Sequence, residues 1–399
     1  MPKKTLADLP DLKGKRVLIR VDFNVPLDAA GNITNDRRIR AALPTICQVL
    51  DAGGSAIVMS HLGRPKGDPK KDVIFKMDRV ADRLRQLLGQ PVSKVDEVVG
   101  PRVEAAAKAL KPGEVLVLEN LRFHAGEQAG DRAFAEQLAG LADVYVNDAF
   151  GTCHRSDASM VAVPAAMQGK PRVVGQLVAK ELHVLDELLA TPKRPFLAVL
   201  GGAKVSDKIG FLKALLSRVD RILIGGAMTY TFMKAQGRRI GNSKAEADKL
   251  DMAQELLQLG KDKIGLPFDH LVVERLETPQ GARTVEGDIP DGWIGVDIGH
   301  KTSDRYCEAI ARAGTVIWNG PLGKYEDEPY SHGTRAIADA MAASGAVTVV
   351  GGGETAEAVE AFGLADKMTH VSTGGGAFLE YVEGTPFPAL APLEDKKSA

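Results

Sequence analysis

Cysteine is scarce: Cys47, Cys153 and Cys307 are the only three in 399 residues. An odd, widely scattered set excludes a disulfide framework and does not have metal-site spacing, so a reducing compartment fits best. Aromatic residues make up 5% of the chain and form no ladder between its basic residues, which argues against a nucleic-acid surface. Charge of one sign is also missing. The formal net charge is −1, from 51 basic and 52 acidic residues, and no global field draws the chain to nucleic acid or to an anionic membrane. No apolar run is long enough to span a bilayer, and the opening Met1-Pro2-Lys3-Lys4-Thr5-Leu6-Ala7-Asp8 lacks a signal-peptide core. These absences lead us to expect a cytoplasmic protein whose anion sites are local and whose partners are small molecules.

Glycine is abundant, 42 residues, and the length suits two domains. The stretch Leu200-Gly201-Gly202-Ala203-Lys204-Val205-Ser206-Asp207-Lys208 follows a β-prone run, Phe196 to Leu200, and opens a helical pattern. A strand ending in paired glycines before a helix leaves backbone N–H groups free for an anion. Lys204 and Lys208, four apart, share a helical face and suit a multiply charged phosphate. A plain strand-to-helix turn with two solvated lysines would read the same way.

In the first half, strands over Arg16–Val21, Ala56–Met59, Val115–Leu118 and Val144–Val146 alternate with helical patterns over 35–50, 78–88 and 132–141. Pro44 should kink the first helix or mark its true first turn, and Gly89 should end the second. Alternation of this kind implies βαβ units and a mainly parallel sheet, with ligands beyond the carboxyl ends of the strands. Asp22, Asn24, His61, Arg64, Arg122, His154 and Arg155 all fall just past strand ends and should gather on one rim. Guanidinium forks match carboxylate and phosphate, so a small polyanion is the natural guest.

A helical run from about 174 to 189, with Gly175 as a flexible point, connects this half to the next. Beyond it the strand-then-turn scheme repeats with glycines in place of arginines: Gly225-Gly226 after 221–224, Trp318-Asn319-Gly320-Pro321 after 314–317, Gly351-Gly352-Gly353-Glu354-Thr355 after 346–350, and Gly374-Gly375-Gly376 after 368–372. Bare backbone at helix starts suits a nucleotide. A P-loop pattern is absent from these turns. Gly351 to Ala356 satisfies the dinucleotide pattern G-x-G-x-x-A, but the next strand ends in Ser372-Thr373-Gly374 without the acidic residue that would hold a ribose. An acid-binding half joined to a nucleotide-binding half suggests phosphoryl transfer, and a carboxylate acceptor, already ionised, would need no general base. A nicotinamide-dependent dehydrogenase and a non-enzymatic anion-binding protein stay open on these residues alone.

Val21-Asp22-Phe23-Asn24-Val25-Pro26, Ser60-His61-Leu62-Gly63-Arg64-Pro65, Leu118-Glu119-Asn120-Leu121-Arg122-Phe123, Gly201-Gly202-Ala203-Lys204-Val205, Trp318-Asn319-Gly320-Pro321 and Ser372-Thr373-Gly374-Gly375-Gly376 closely resemble the phosphoglycerate kinase family, in order and along essentially the whole chain. The resemblance implies two Rossmann-like three-layer α/β domains with mainly parallel sheets facing each other across a cleft. Residues 1–172 would bind phosphoglycerate, 173–190 form the interdomain helix and hinge, 191–382 bind nucleotide, and the tail 383–399 return to the first domain. It implies reversible phosphoryl transfer between 1,3-bisphosphoglycerate and ADP, with Mg²⁺ on the nucleotide, in a cytoplasmic monomer. Asp22, Phe23, Asn24, Arg38, His61, Leu62, Gly63, Arg64, Arg122 and Arg155 would hold the phosphoglycerate. Arg38, Lys204, Gly351 and Gly375 would act on the transferred group. Gly202, Ala203, Lys204, Lys208, Gly225, Gly226, Asn319, Pro321, Glu326 and Gly351 to Thr355, that is Gly351, Gly352, Gly353, Glu354 and Thr355, would take the nucleotide, with Glu326 on the ribose. Glu354 stands where the family normally carries an aspartate on Mg²⁺, Ala227 where a third glycine is common, Phe378 where a small residue is usual, and Lys324-Tyr325 in place of an apolar pair.

Overall fold

Six short, almost wholly apolar strands assemble one parallel sheet in each half of the chain. The computed structural model describes residues 2–68 and 70–396. Met1, Pro69 and 397–399 lie outside the described residues, so the very ends of the expected first domain and tail do too.

The chain divides into two compact units, Met1–His183 with Pro386–Ala399, and Val184–Thr385. In the first unit the strands are β1 (Arg16–Val21), β2 (Ser55–Met59), β3 (Val92–Lys94), β4 (Val115–Val117), β5 (Val144–Asp148) and β6 (Arg172–Val174), in the spatial order β3-β4-β2-β1-β5-β6. All their pairings are parallel. In the second unit β7 (Phe196–Leu200), β8 (Arg221–Ile224), β9 (Ile264–Gly265), β13 (Thr315–Asn319), β14 (Val347–Gly351) and β15 (His370–Val371) run β15-β14-β13-β7-β8-β9, again all parallel. Between them in sequence, β10 (Asp269–Val273), β11 (Arg283–Glu286) and β12 (Ile294–Ile298) form a small antiparallel sheet, β11-β10-β12. This is the parallel α/β class that the alternation implies.

Helices cover the sheets and bury one stripe each. Ile39, Ala42, Ile46 and Val49 of the helix Arg37–Asp51, and Val80, Ala81 and Leu84 of the helix Asp78–Leu88, join Val17, Ile19, Val21, Ala56 and Val58 in the first core. Gly89, left-handed at φ 64°, ends the second of these helices. The first does not begin at Pro44. It starts at Arg37, where the Ile39 and Arg40 N–H groups donate to Asp36 O and the Arg40 guanidinium pairs with the Asp36 carboxylate at 2.8 Å. The second core centres on Val199, Val316, Trp318, Ile337 and Val350.

The connecting helix starts at Gln176, because residues 172–174 are used as the edge strand β6. Gly175 between them is held rather than loose: its N–H donates to Asn147 O at 2.8 Å, and a Cβ there would overlap the Asp148 carboxylate. The tail packs on the first unit through Ala389 N–H to Cys153 O, Glu394 N–H to Arg172 O, and the Lys4–Glu394 ion pair at 2.7 Å.

In both parallel sheets the strand order reverses around the central strand. The loops leaving β1 and β5, and those leaving β7 and β13, therefore open a crevice at the carboxyl ends.

Candidate active site

Beyond the carboxyl ends of β1, β2, β4 and β5 lies a buried cationic cluster. Asp22 follows β1 directly, is 6% exposed, and accepts a hydrogen bond from Arg38 in the first turn of the helix Arg37–Asp51. Burial would push its carboxyl up, but the Arg38 guanidinium, followed by other cations including Arg20, holds it below the usual range, so Asp22 is ionised. Asn24 fixes the neighbouring loop, its Oδ1 accepting from Gly63 N–H at 2.8 Å. Phe23 is buried, and its N–H donates to Ser60 Oγ at 2.8 Å.

His61 is 1% exposed and its pKa is driven well below normal, first by burial and then by the charges of Arg20, Arg122 and Arg155, against the opposing pull of Asp22. It is neutral at pH 7. Its Nδ1 lies 3.3 Å from Arg20 Nη2, which can only donate, so Nδ1 accepts and Nε2 carries the proton. Although Nδ1 is 3.9 Å from Asp22, the two do not form an ion pair in this state.

Leu62 is clamped by Asn120, whose Oδ1 accepts from Leu62 N–H at 3.0 Å and whose Nδ2 donates to Leu62 O at 2.7 Å. The same Oδ1 accepts from Arg122 N–H, and Arg122 Nη1 donates to Gly63 O at 2.6 Å. Burial, together with Arg155, Arg20 and Arg64, lowers the Arg122 pKa, while Asp157 opposes the shift. Among the described residues, His61 Nε2, Arg122 Nε and Arg155 Nη1 are buried donors without a partner. Unpaired buried donors are costly and rare, and a cluster of them around mutually repelling guanidinia suits a polyanion. Arg64, in the same field, is exposed.

Arg20 was hidden from sequence reading because it sits mid-strand in an apolar run. It is wholly buried, donating to Ser159 Oγ at 2.8 Å, and Ser159 in turn donates to Glu127 at 2.6 Å. Burial raises the Glu127 carboxyl while Arg20 opposes it. This buried network orients His61 from behind. Ser60, Asn120 and Arg20 are the supporting residues that motif spacing did not single out.

In the second unit the turns after β7, β8, β13 and β14 meet. Gly201 N–H donates to Asn319 O at 3.0 Å, Gly202 N–H to Pro321 O at 2.8 Å, and Gly226 N–H to Leu322 O at 2.8 Å. A Cβ on Gly201 would overlap Pro321 O, and one on Gly320, at φ 95°, would overlap Gly201 O. Here bare backbone lets loop approach loop, a different reason from the ligand approach expected. Gly225 packs against Leu322, and Gly351 lies under the Phe378 ring, which accounts for each of them in the same way. By contrast, a Cβ at Gly353, Gly375 or Gly376 would meet nothing within 4 Å, so the starts of the helices Gly353–Ala361 and Gly376–Glu383 are open. Neither start has a side-chain cap, which leaves backbone donors for an anion.

Lys208 donates to Asn319 Oδ1, and Asn319 Nδ2 donates to Gly351 O at 2.9 Å. Thr355 Oγ1 accepts from Gly320 N–H at 2.6 Å. Burial pulls the Lys208 pKa down to about 8, against the charges of Glu354 and Asp207. Lys204 and Ala203 are exposed on the turn after β7, and Lys204 makes no hydrogen bond or ion pair among the described residues. Ala227 starts the helix Met228–Ala235 and packs on the Tyr230, Met233 and Ile240 cluster. Glu326 lines a separate 560 Å³ cavity with Leu276, Lys324 and Tyr330.

Glu354, exposed in the first turn of its helix and near Lys208, is a hard oxygen donor that suits Mg²⁺. Asp78, Asp96 and Glu119 also lie within 4.8 Å of one another. There Lys94 Nζ sits among them at 3.3, 2.6 and 2.7 Å, and an ammonium already fills the cation position.

The chain is 52% identical over 401 residues to a phosphoglycerate kinase of Moorella thermoacetica and 51% identical over 398 residues to one of Rhodopirellula baltica, covering 99% of this chain and 100% of each relative. The structure of phosphoglycerate kinase from Coxiella burnetii superposes with a TM-score of 0.84 at 39% identity, and that from Pyrococcus horikoshii with 0.86 at 32%, each over 98% of both chains. With the family model for phosphoglycerate kinase matching residues 6–385 as well, the chain belongs to the phosphoglycerate kinase family.

Proposed function

We infer that this chain catalyses reversible phosphoryl transfer from the acyl phosphate of 1,3-bisphosphoglycerate to ADP, giving 3-phosphoglycerate and ATP. The observation that carries the reading is the cluster of buried, unpaired donors on His61, Arg122 and Arg155 beside the ionised Asp22. Family membership gives that cluster its guest.

The guanidinia of Arg64, Arg122 and Arg155 take the anionic phosphate, and neutral His61 donates through Nε2. Asp22 accepts from the hydroxyl and the Asn24 amide donates to the carboxyl end, with Phe23, Leu62 and Gly63 shaping the wall. Arg38 keeps donors beyond the one given to Asp22 and turns them on the transferred phosphoryl group. In the other unit Lys208 and the helix starts at Gly351 to Thr355 and Gly374 to Gly376 hold the nucleotide phosphates. Gly202, Ala203, Gly225, Gly226, Asn319, Pro321 and Glu326 line the nucleoside. Lys204 is free to meet charge on the phosphoryl group in flight, which is where preorganised cations act most strongly. Glu354 would help to hold a nucleotide-bound Mg²⁺, which would supply charge neutralisation of the phosphates. The acceptor carboxylate needs no base, so no residue has to remove a proton.

We assign phosphoglycerate to 1–172, nucleotide to 191–382, and the link to 173–190, in a cytoplasmic monomer. Transfer then requires that the two bound substrates be brought within reach of one another and screened from water. A coupled assay with 3-phosphoglycerate and MgATP tests the reading. Turnover dependent on both substrates is expected, and its absence would remove the assignment.

A further inference from the structure

Asp297, which ends β12 apart from its last residue, is 2% exposed and belongs to none of the residues assigned above. Its Oδ2 accepts from Gly333 N–H at 2.7 Å, in the first turn of the helix His332–Ala343, and its Oδ1 from Ile298 N–H at 2.8 Å. The carboxylate lies so close to the backbone of Gly323 and Gly333 that neither position has room for a Cβ. On the next residue of the same turn, Thr334 Oγ1 accepts from Leu322 N–H at 3.0 Å and from Gly323 N–H at 3.3 Å. Lys324 N–H completes the set, donating to Val296 O at 3.0 Å.

The segment 322–324 thus hangs on one helix start and one strand end. It joins Asn319 and Pro321, whose backbone meets Gly201 and Gly202, to Glu326. Burial pushes the Asp297 carboxyl up to about 7, against the Gly333 and Ile298 N–H groups that favour its charged form. Thr334 Oγ1 and Val296 O accept from the loop, while Asp297 holds the helix start that carries Thr334 and packs against Gly323, so the loop's height and tilt are set from below rather than by the ligand.

We propose that Asp297 and Thr334 are positioning residues for the nucleoside: they fix the loop 319–326 in its binding geometry and act on nucleotide affinity alone. This rests on the assignment of the nucleotide to the second unit.

Replacing Asp297 by Ala leaves the Gly333 and Ile298 N–H groups without acceptors, loosens the helix start that carries Thr334 and opens space beneath Gly323. In the coupled assay, D297A is expected to raise the MgATP KM about ten-fold, with the 3-phosphoglycerate KM within about two-fold of wild type. D297N restores one acceptor and should recover part of the loss. T334V, nearly isosteric, tests the same loop if D297A fails to fold, and should raise the MgATP KM about three-fold or more. Lower thermal stability with an unchanged MgATP KM in T334V and D297N, or an equal rise in both KM values, would overturn the proposal. If Lys208→Ala leaves the MgATP KM unchanged, the nucleotide assignment itself fails, a result distinct from failure of the loop variants.

Discussion

Lys208 carries a proton that its surroundings weaken. Burial lowers its pKa to about 8 from 10.5, so the folded protein holds this proton less tightly than the unfolded chain does. The resulting cost to stability is present below pH 8 and disappears as the pH rises toward 10.5. Anionic phosphates at the ammonium reverse the shift. At pH 8.5 MgADP binding should therefore take up a fraction of a proton, visible as a binding heat that varies with buffer ionisation enthalpy. Lys208→Met should abolish that variation, and a buffer-independent heat for the wild type would contradict the assignment. Arg38 makes the complementary case in the other unit. Its loss should lower kcat by about 10²–10³, the usual cost of removing one donor aimed at transition-state charge, while MgADP affinity measured by calorimetry stays within two-fold. His61 should behave as a neutral donor, since burial and three arginines keep it uncharged.

At the scale of elements, the strands that feed the site were legible because each is a short apolar run that stops at a polar or glycine-rich turn. β1, β2, β7 and β8 fall within a residue of where the pattern places them. The antiparallel sheet was not legible: β11 reads Arg-Thr-Val-Glu and is mostly exposed, and β10 carries Asp269 and His270 in its buried register. β6 was absorbed into the helix that follows it, since Val173 and Val174 suit either period. Spacing located the rim residues but not Arg20, whose charge is read as a strand interruption until Ser159 and Glu127 are found around it. The glycines taught a second lesson. The glycine-rich turns read as bare backbone for a nucleotide, and at Gly201 and Gly320 the structure uses that bareness to let two loops touch. Gly175 offers a test at this scale, since Ala there drives a methyl into the Asp148 carboxylate at the start of the helix Gln176–Ala190. Gly175→Ala should lower stability by about 1–3 kcal/mol in denaturant unfolding. An unchanged midpoint would mean that the contact yields.

For the whole molecule, the proposed function gives each unit one guest. The acid guest would meet guanidinium forks and a neutral imidazole, groups that read carboxylate and phosphate. The nucleotide would meet open helix starts and two ammonium groups, which tolerate a polyphosphate in several poses. On the proposed assignment of one guest to each unit, small-angle scattering should show a smaller radius of gyration with 3-phosphoglycerate and MgADP together than with either alone. An unchanged radius would count against closure. The most direct measurement compares Arg122→Ala and Lys208→Ala in the coupled assay, titrating each substrate in turn. Arg122→Ala should raise the 3-phosphoglycerate KM about ten-fold or more and leave that of MgATP unchanged, and Lys208→Ala should do the reverse. If either variant weakened both substrates equally, or the other unit's substrate alone, the division of labour between the two units would be contradicted.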